Sequence, residues 1–205
     1  MSIGRDRLES AGLRYWDYAR SHSRPLRILF GEDSLSDEAR AVEILRSGTA
    51  AGVRASLERL FSEPGDVLIS GEGLSALSAD ALLALRDLSG RAVKVIVYVR
   101  EPCSWFTSGI QQNIKGGMTL EASLASRTGY NRLRRLTDVF GKDVDARLYR
   151  SSPDGKDLIH DFLSAMNLPR GLMDDFITAP VNIGLSNRAV WLLEAINRRA
   201  EREGL

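Results

Sequence analysis

Residues 93–99, VKVIVYV, are the most strand-like stretch of this sequence, and they lead directly into Arg100, Glu101 and Pro102. Valine and isoleucine fill five of the seven positions, and β-branched side chains favour extended backbone. A strand covered on both faces is apolar at nearly every position, whereas a half-exposed strand alternates, so this stretch predicts a strand within a parallel sheet. Pro102 ends it, because proline has no N–H to donate to a neighbouring strand.

Shorter apolar runs and helical patterns alternate on both sides of this strand. Strands are predicted at Val67–Ser70 and Ala146–Tyr149, and Arg27–Phe30 reads as either a strand or a buried loop. Strands separated by helices join through right-handed crossovers into a parallel sheet with helices on both faces. We therefore expect one three-layer α/β/α domain over residues 1–205. The predicted helices are one that ends at Ser10 and six that span Asp37–Arg46, Ala50–Phe61, Ser78–Leu88, Tyr130–Phe140, Asp154–Met166 and Asn187–Arg199.

Serine and glycine mark the ends of several predicted helices. Ser36 and Ser186 are predicted N-caps, since a serine hydroxyl accepts a hydrogen bond from a free N–H of the first turn. Gly12, Gly90 and Gly141 are predicted to end helices, because glycine adopts the left-handed conformation common there. The last helix is expected to bury an apolar stripe of Ala189, Val190, Leu193 and Ile196.

Composition and charge limit the function classes. The chain has 205 residues, of which 43% are hydrophobic and 27% charged, as expected for a globular protein. A formal net charge of +1 gives no long-range field that would favour nucleic acid, so any anion site is expected to be local. No apolar run reaches the ~20 residues of a membrane span, and residues 1–10 lack the apolar core of a signal peptide.

The single cysteine, Cys103, excludes an internal disulfide and fits a reducing compartment. We therefore expect a cytoplasmic protein.

The carboxyl ends of the predicted strands are the expected ligand-binding edge of such a sheet. Arg100 follows the strongest strand, and Ser108 lies eight residues later, near the start of the next helix. A guanidinium, a hydroxyl and free helix N–H groups together make a phosphate site. The alternatives are a solvated or salt-bridged arginine and a serine on an ordinary helix surface.

The string V-R-x-P with a serine eight residues after the arginine resembles the 3′-phosphate-binding motif of the sulfotransferase family. The resemblance implies a P-loop NTPase-like sulfotransferase fold and the donor 3′-phosphoadenosine 5′-phosphosulfate, whose 3′-phosphate Arg100 and Ser108 would hold. It also implies sulfuryl transfer to a hydroxyl acceptor, for example on a carbohydrate, without a metal. Further stretches similar to bacterial members are residues 6–15, 66–74, 109–117, 140–149 and 181–197.

The sequence departs from the family at the phosphosulfate-binding loop. Members carry an N-terminal strand and a turn of the form K-x-G-T-[ST], whose N–H groups and lysine bind the 5′-phosphosulfate, and this pattern does not occur here. We therefore expect an N-terminally incomplete member that lacks the first strand and has little or no transfer activity of its own. Arg27–Phe30 is the one segment expected to be able to fill the vacant strand position.

Four other residues have candidate roles. Glu72 follows the strand at Val67–Ser70, where it would act as general base for an acceptor hydroxyl or be an ordinary loop carboxylate. Trp105 and Phe106 would stack on an adenine ring or pack in the core. Beside the proposed phosphate, Arg100 would lower the pKa of the Cys103 thiol, or the lone cysteine would be incidental. The two histidines, His22 and His160, are too isolated to suggest a metal site or a catalytic triad.

Two other functions remain open at this point. One is a non-catalytic binding or assembly protein that keeps the remnant of a nucleotide-binding fold. The other is a relative of the P-loop kinases, although the absent lysine disfavours both enzymes equally. The sequence does not predict an oligomeric state.

Overall fold

The computed structural model describes residues 2–19, 22–31, 48–125, 131–150, 156–168, 170–173 and 185–204. The contacts between residues divide the chain into two compact units. Unit 1 comprises residues 1–96, 131–145 and 163–176, and unit 2 comprises residues 97–130, 146–162 and 177–205. The single domain expected over residues 1–205 stays a prediction.

Helices make up most of the described secondary structure. The strands are Leu13–Tyr15 (β1), Asp66–Leu68 (β2), Val95–Val99 (β3) and Val144–Leu148 (β4). Short 3₁₀ helices cover Glu72–Ala76, Gly141–Asp143 and Arg170–Met173. The α-helices are Ser2–Ser10 (α1), Ser23–Leu29 (α2), Ala50–Ser62 (α3), Ala79–Ser89 (α4), Pro102–Lys115 (α5), Leu120–Ala125 (α6), Asn131–Phe140 (α7), Lys156–Ala165 (α8) and Asn187–Glu203 (α9).

The strands form two small parallel sheets instead of one continuous sheet. In the first sheet β1 pairs with β2, with Leu13 opposite Asp66 and Tyr15 opposite Leu68. In the second sheet β3 pairs with β4. The mixed α/β class and the parallel pairing are thus confirmed, whereas the three-layer arrangement stays a prediction.

Local capping explains why several helices begin and end where the sequence predicts. The hydroxyls of Ser78 and Ser186 accept the N–H groups of Ala81 and Ala189 at 3.1 and 3.3 Å. Gly90 ends α4 in the left-handed conformation, with φ of 58°. The predicted helix at Asp37–Arg46, with its N-cap Ser36, lies outside the described residues.

The helix α2 occupies the segment where a strand or buried loop was expected, so the expectation for Arg27–Phe30 was wrong. Pro25 lies in the first turn, where its missing N–H removes no helical hydrogen bond. Leu26 is fully buried, and its carbonyl accepts the N–H of Phe30 at 3.0 Å. This short run therefore forms a helix that buries Ser23, Pro25 and Leu26, and it does not fill a position in a sheet.

The buried residues of the two units differ in polarity. In unit 1 the described core is mostly apolar and includes Trp16, Leu26, Leu57 and Leu77, each 2% exposed or less, together with the buried polar residue His22. In unit 2 the fully buried apolar side chain among the described residues is Ile114. The other buried residues of unit 2 among those described are polar, namely Thr119, Ser123, Glu194 and Asn197.

No helix in the described part of the chain combines the length and the apolar character that a bilayer crossing needs.

Candidate anion-binding site

Arg100 and Ser108 face each other in unit 2. Arg100 follows the last residue of β3, and Ser108 lies on the second turn of α5, which begins at Pro102. The Arg100 Nη1 donates to the Ser108 Oγ at 3.3 Å. Both side chains are half-buried. The fold thus brings together the two residues that the sequence singles out, and a short turn at Glu101 is enough to do so.

A third residue, Tyr149, lies against the guanidinium. Tyr149 follows β4, and its N–H donates to the carbonyl of Val99 at 2.7 Å, which sets it beside Arg100 across the two strands. The Arg100 Cζ lies 4.2 Å from the centroid of the Tyr149 ring, within the range of a cation–π contact. Sequence reasoning missed this residue. The sequence did contain an indication of it. Tyr149 is the last residue of the predicted strand Ala146–Tyr149, and parallel strands bring their carboxyl ends to one edge of the sheet.

Arg100 has no ion pair with a carboxylate of the described residues. A guanidinium carries five N–H donors, and here one of them meets a neutral hydroxyl acceptor at the long end of the hydrogen-bond range. A positive charge with spare donors, half-buried and stacked on an aromatic ring, is suited to an anion.

The neighbouring arginine on β4 differs in this respect. Arg147 forms an ion pair with Asp161 at 2.5 Å, and the Tyr98 hydroxyl donates to the same carboxylate at 2.7 Å. The hydrogen bond from Arg147 is the main reason that the pKa of Asp161 is lowered. Burial, followed by the bond to Asp161, raises the pKa of Tyr98. The Asp161 carboxylate thus neutralises the charge of Arg147. Arg100 has no such carboxylate partner among the described residues.

The helix N-terminus beside Arg100 is already occupied, which corrects the expectation of free N–H groups there. The Glu101 carboxylate accepts the N–H groups of Cys103 and Ser104 at 2.9 and 2.8 Å, and these bonds lower the pKa of Glu101. A carboxylate at this position is favourable because it pairs with N–H groups that lack intrahelical partners and lies at the positive end of the helix dipole. An anion at Arg100 would therefore be held by side chains and not by these two amides.

Glu101 also overturns the expectation for Cys103. A hydrogen bond with the Glu101 carboxylate, and then its negative charge, raise the pKa of the Cys103 thiol. The prediction that Arg100 lowers this pKa was wrong, because the nearer charge is negative. The side chain is exposed.

Trp105 and Phe106 are not core residues. Their side chains are 40% and 37% exposed, so the packing interpretation was wrong for both. Within α5 the buried residue is Ile114, and the first half of the helix faces solvent. Nothing in the described contacts tests their stacking on an adenine ring.

Glu72 belongs to unit 1, whereas Arg100 and Ser108 belong to unit 2. It begins the 3₁₀ helix Glu72–Ala76 in unit 1, and its side chain is exposed. The loop around it is fixed by α2, since the Ser70 N–H donates to His22 Nδ1 at 2.8 Å and the Gly73 N–H donates to Ser23 Oγ at 2.9 Å. The role of Glu72 as general base stays a prediction.

Among the described residues, no group of three or more His, Cys, Asp or Glu side chains is arranged to hold a metal ion.

Comparison of the chain with protein-family models, with curated proteins and with solved structures finds no match. The resemblance to sulfotransferases therefore rests on the residues quoted above.

Proposed function

We propose that the chain binds a nucleotide phosphate through Arg100 and Ser108, as a protein of the sulfotransferase type. More specifically, the ligand is the 3′-phosphate of 3′-phosphoadenosine 5′-phosphosulfate or of its product, adenosine 3′,5′-bisphosphate. The observation that carries the proposal is the 3.3 Å contact between Arg100 Nη1 and Ser108 Oγ at the end of β3, without a described carboxylate on the guanidinium.

The chemistry of the two side chains suits a phosphate group. The guanidinium offers two parallel N–H groups to two phosphate oxygens, and the Ser108 hydroxyl can turn to donate to a third. Each charge-assisted hydrogen bond contributes about 1.5–3 kcal/mol. Because Glu101 already occupies the first amides of α5, the phosphate would depend on Arg100 and Ser108.

The proposed reaction is in-line sulfuryl transfer. The oxygen of an acceptor hydroxyl, for example on a carbohydrate, forms a bond to sulfur while the bond from sulfur to the bridging phosphate oxygen breaks. Adenosine 3′,5′-bisphosphate leaves with the electron pair, and the hydroxyl proton passes to a base, for which Glu72 is the candidate in this sequence. Because the sequence has no K-x-G-T loop to stabilise the bridging oxygen, we expect the purified chain to bind the nucleotide and to transfer little or no sulfuryl group.

Calorimetry with two nucleotides tests the proposal. Adenosine 3′,5′-bisphosphate should bind more tightly than adenosine 5′-monophosphate, which lacks the 3′-phosphate. The Arg100→Ala variant should lose most of this difference, with an affinity for the bisphosphate at least about tenfold lower. Arg134→Ala removes an arginine in unit 1 that is 84% exposed and serves as the matched control. Equal affinities for the two nucleotides, or an unchanged difference in Arg100→Ala, would refute the proposal.

A second candidate function is a non-catalytic binding or assembly protein. It is favoured by the exposed large apolar side chains, all of which lie in unit 2 among the described residues. A chain that binds neither nucleotide but captures a protein partner through unit 2 would have this function.

A further inference from the structure

The helix α9 exposes apolar side chains and buries polar ones. Trp191, Leu192 and Ile196 are 70%, 64% and 52% exposed, whereas Glu194 and Asn197 are buried. The sequence predicts that Ile196 belongs to the buried stripe, and this prediction was wrong. Scattered exposed apolar residues are ordinary, but three large ones within two turns of a helix form a patch that marks an interaction surface.

Hydrogen bonds on the buried side fix the rotation of α9. Glu194 accepts the N–H of Leu120 at 2.8 Å, and its other oxygen accepts from the Arg198 Nε at 2.6 Å. The Asn197 Nδ2 donates to the carbonyls of Ile114 and Met118, each at 2.8 Å. Turning the apolar residues inward would leave these buried groups without partners. The apolar patch is therefore held outward within unit 2.

An arginine lies at each end of the apolar patch, on the same face of the helix. At about 100° per residue, Arg188 lies one turn before Leu192, and Arg199 lies one turn after Ile196, all on one face. The two arginines are eleven residues apart, which is about 16 Å along a helix. Both are exposed, and Arg199 has Glu203 as a local partner at 2.8 Å. The α9 stripe is defined here as Arg188, Trp191, Leu192, Ile196 and Arg199.

We propose that the α9 stripe docks an acidic amphipathic helix of a partner protein. The partner helix would present apolar side chains to Trp191 and Leu192 and would carry carboxylates about three turns apart to meet the two arginines. Exposed tryptophan and arginine are the residue types that contribute most to such interfaces. This proposal is independent of the nucleotide site.

The charges disfavour two other occupants. A second copy packed antiparallel over the apolar residues would place Arg188 of one chain near Arg199 of the other, and a parallel copy would oppose each arginine with itself. A membrane-surface helix carries its cations on the polar face, beside the apolar stripe, whereas here they lie within it. Burying this face in lipid would draw both guanidinium groups toward the hydrocarbon.

A pair of labelled peptides tests the proposal with the full chain. The first is a designed helix of about 18 residues with leucines on one face and glutamates spaced to match Arg188 and Arg199, and the second has lysine in place of each glutamate. Fluorescence anisotropy should show binding of the acidic peptide, weakened by salt, and at least about tenfold weaker binding of the lysine peptide.

Variants locate the binding on the α9 stripe. Leu192→Glu and Arg188→Glu should each weaken binding of the acidic peptide about tenfold or more. The matched controls are Leu124→Glu, at an apolar residue of α6 that is 37% exposed, and Arg134→Glu in unit 1, and both should bind as the unaltered chain does. Circular dichroism should show the same helical content in all four variants, since every altered side chain is exposed.

Four results would overturn the proposal. They are no binding of the acidic peptide, equal binding of both peptides, binding of phosphatidylserine vesicles that Leu192→Glu abolishes, and a dimer in sedimentation that the same variant dissociates. Arg100→Ala should leave peptide binding unchanged, so that failure here is separate from failure of the nucleotide proposal.

Discussion

At the scale of single residues, His22 has the most enclosed titratable side chain among the described residues. It is fully buried, with ring centroids 4.7 Å from Tyr15 and 5.1 Å from Trp16. Its Nδ1 accepts the Ser70 N–H at 2.8 Å, so the neutral ring carries its proton on Nε2. Burial lowers the pKa of His22, and the Trp16 carbonyl and the Asp17 carboxylate oppose this effect. Protonation would convert Nδ1 into a donor and break the bond to Ser70.

We predict that the chain loses stability in mild acid because of His22. Its folded-state pKa lies below the unfolded value of about 6.5, so the unfolded chain binds the proton first. The stabilisation is complete above about pH 6.5 and falls as the pH drops from there toward the folded pKa. Urea unfolding at a series of pH values should show this decline, and His22→Asn, which keeps an acceptor but does not titrate, should flatten it. If His22→Asn keeps the slope while His160→Asn removes it, the assignment is wrong.

Tyr149 is predicted to hold Arg100 in position for an anion. Tyr149→Leu removes the ring that lies 4.2 Å from the guanidinium and should weaken adenosine 3′,5′-bisphosphate binding by about 0.5–2 kcal/mol. Tyr149→Phe keeps the ring and should bind nearly as the unaltered chain does. Calorimetry compares the three proteins, and equal losses in both variants would assign the effect to the hydroxyl instead.

At the scale of elements, two arginines cap the C-terminus of α3. Arg91 donates to the carbonyls of Gly65, Phe61 and Glu63. Arg14 donates to the carbonyl of Glu63 at 2.7 Å and forms an ion pair with its carboxylate. The last carbonyls of a helix lack intrahelical partners, and the planar guanidinium can serve several of them at once.

We predict that Arg91→Ala lowers the free energy of unfolding by about 1–3 kcal/mol, since three carbonyls lose a charged donor. Arg91→Lys should restore only part of this, because an ammonium group cannot reach all three in one plane. Arg59→Ala, at an exposed position of the same helix, should change stability little. Urea denaturation measures all three, and a full rescue by lysine would contradict the role given to the guanidinium.

Element boundaries could be predicted largely from local chemistry. Ser78 and Gly90 bound α4 as expected, because capping depends on a hydroxyl or a glycine within a few residues of the helix end. The strand at Val95–Val99 was also expected, from its β-branched composition. The α2 segment was not, because Arg27–Phe30 is too short for its periodicity to separate a helix from a strand.

At the scale of the whole molecule, the two units depend on different interactions. Leu57, Leu77 and the other buried side chains of unit 1 give it an apolar core, whereas unit 2 buries Glu194 and Asn197 within hydrogen-bond networks. Buried polar networks are stable only while every member keeps its partner. Because unit 2 buries few apolar side chains among its described residues, we expect local opening to cost less free energy there.

We predict that hydrogen exchange is slower in α3 and α4 of unit 1 than in α5 and α9 of unit 2. Buried apolar side chains protect the amides of α3 and α4 from exchange. The amides of α5 and α9 become exposed by local opening, which requires less free energy. Hydrogen–deuterium exchange followed by mass spectrometry measures this per peptide. Asn197→Ala should speed exchange in α9 and α5 alone, and a uniform acceleration across both units would contradict the difference.

The candidate site was predictable in part. Its strand, its turn and the pair Arg100 and Ser108 follow from residues close together in sequence. Tyr149 was missed because it lies forty-nine positions after Arg100 and depends on which strands pair. The capping of α5 by Glu101 was also missed. The first amides of a helix can bind either a nearby side-chain carboxylate or a separate anion, and only the three-dimensional position of the Glu101 side chain shows which of the two they bind.

The sequence by itself determined the caps of several helices, the strand before Arg100 and the arginine–serine pair, since these depend on neighbours within about two helical turns. Tertiary structure alone decided that β3 pairs with β4 in a sheet of its own, that Tyr149 stacks on Arg100, and that α9 turns its apolar side chains outward. The physical reason is the same in each case. The deciding partners are distant in sequence, because Tyr149 lies forty-nine positions after Arg100, and Glu194 and Asn197 of α9 bond to residues more than seventy positions away. No local pattern encodes such partners.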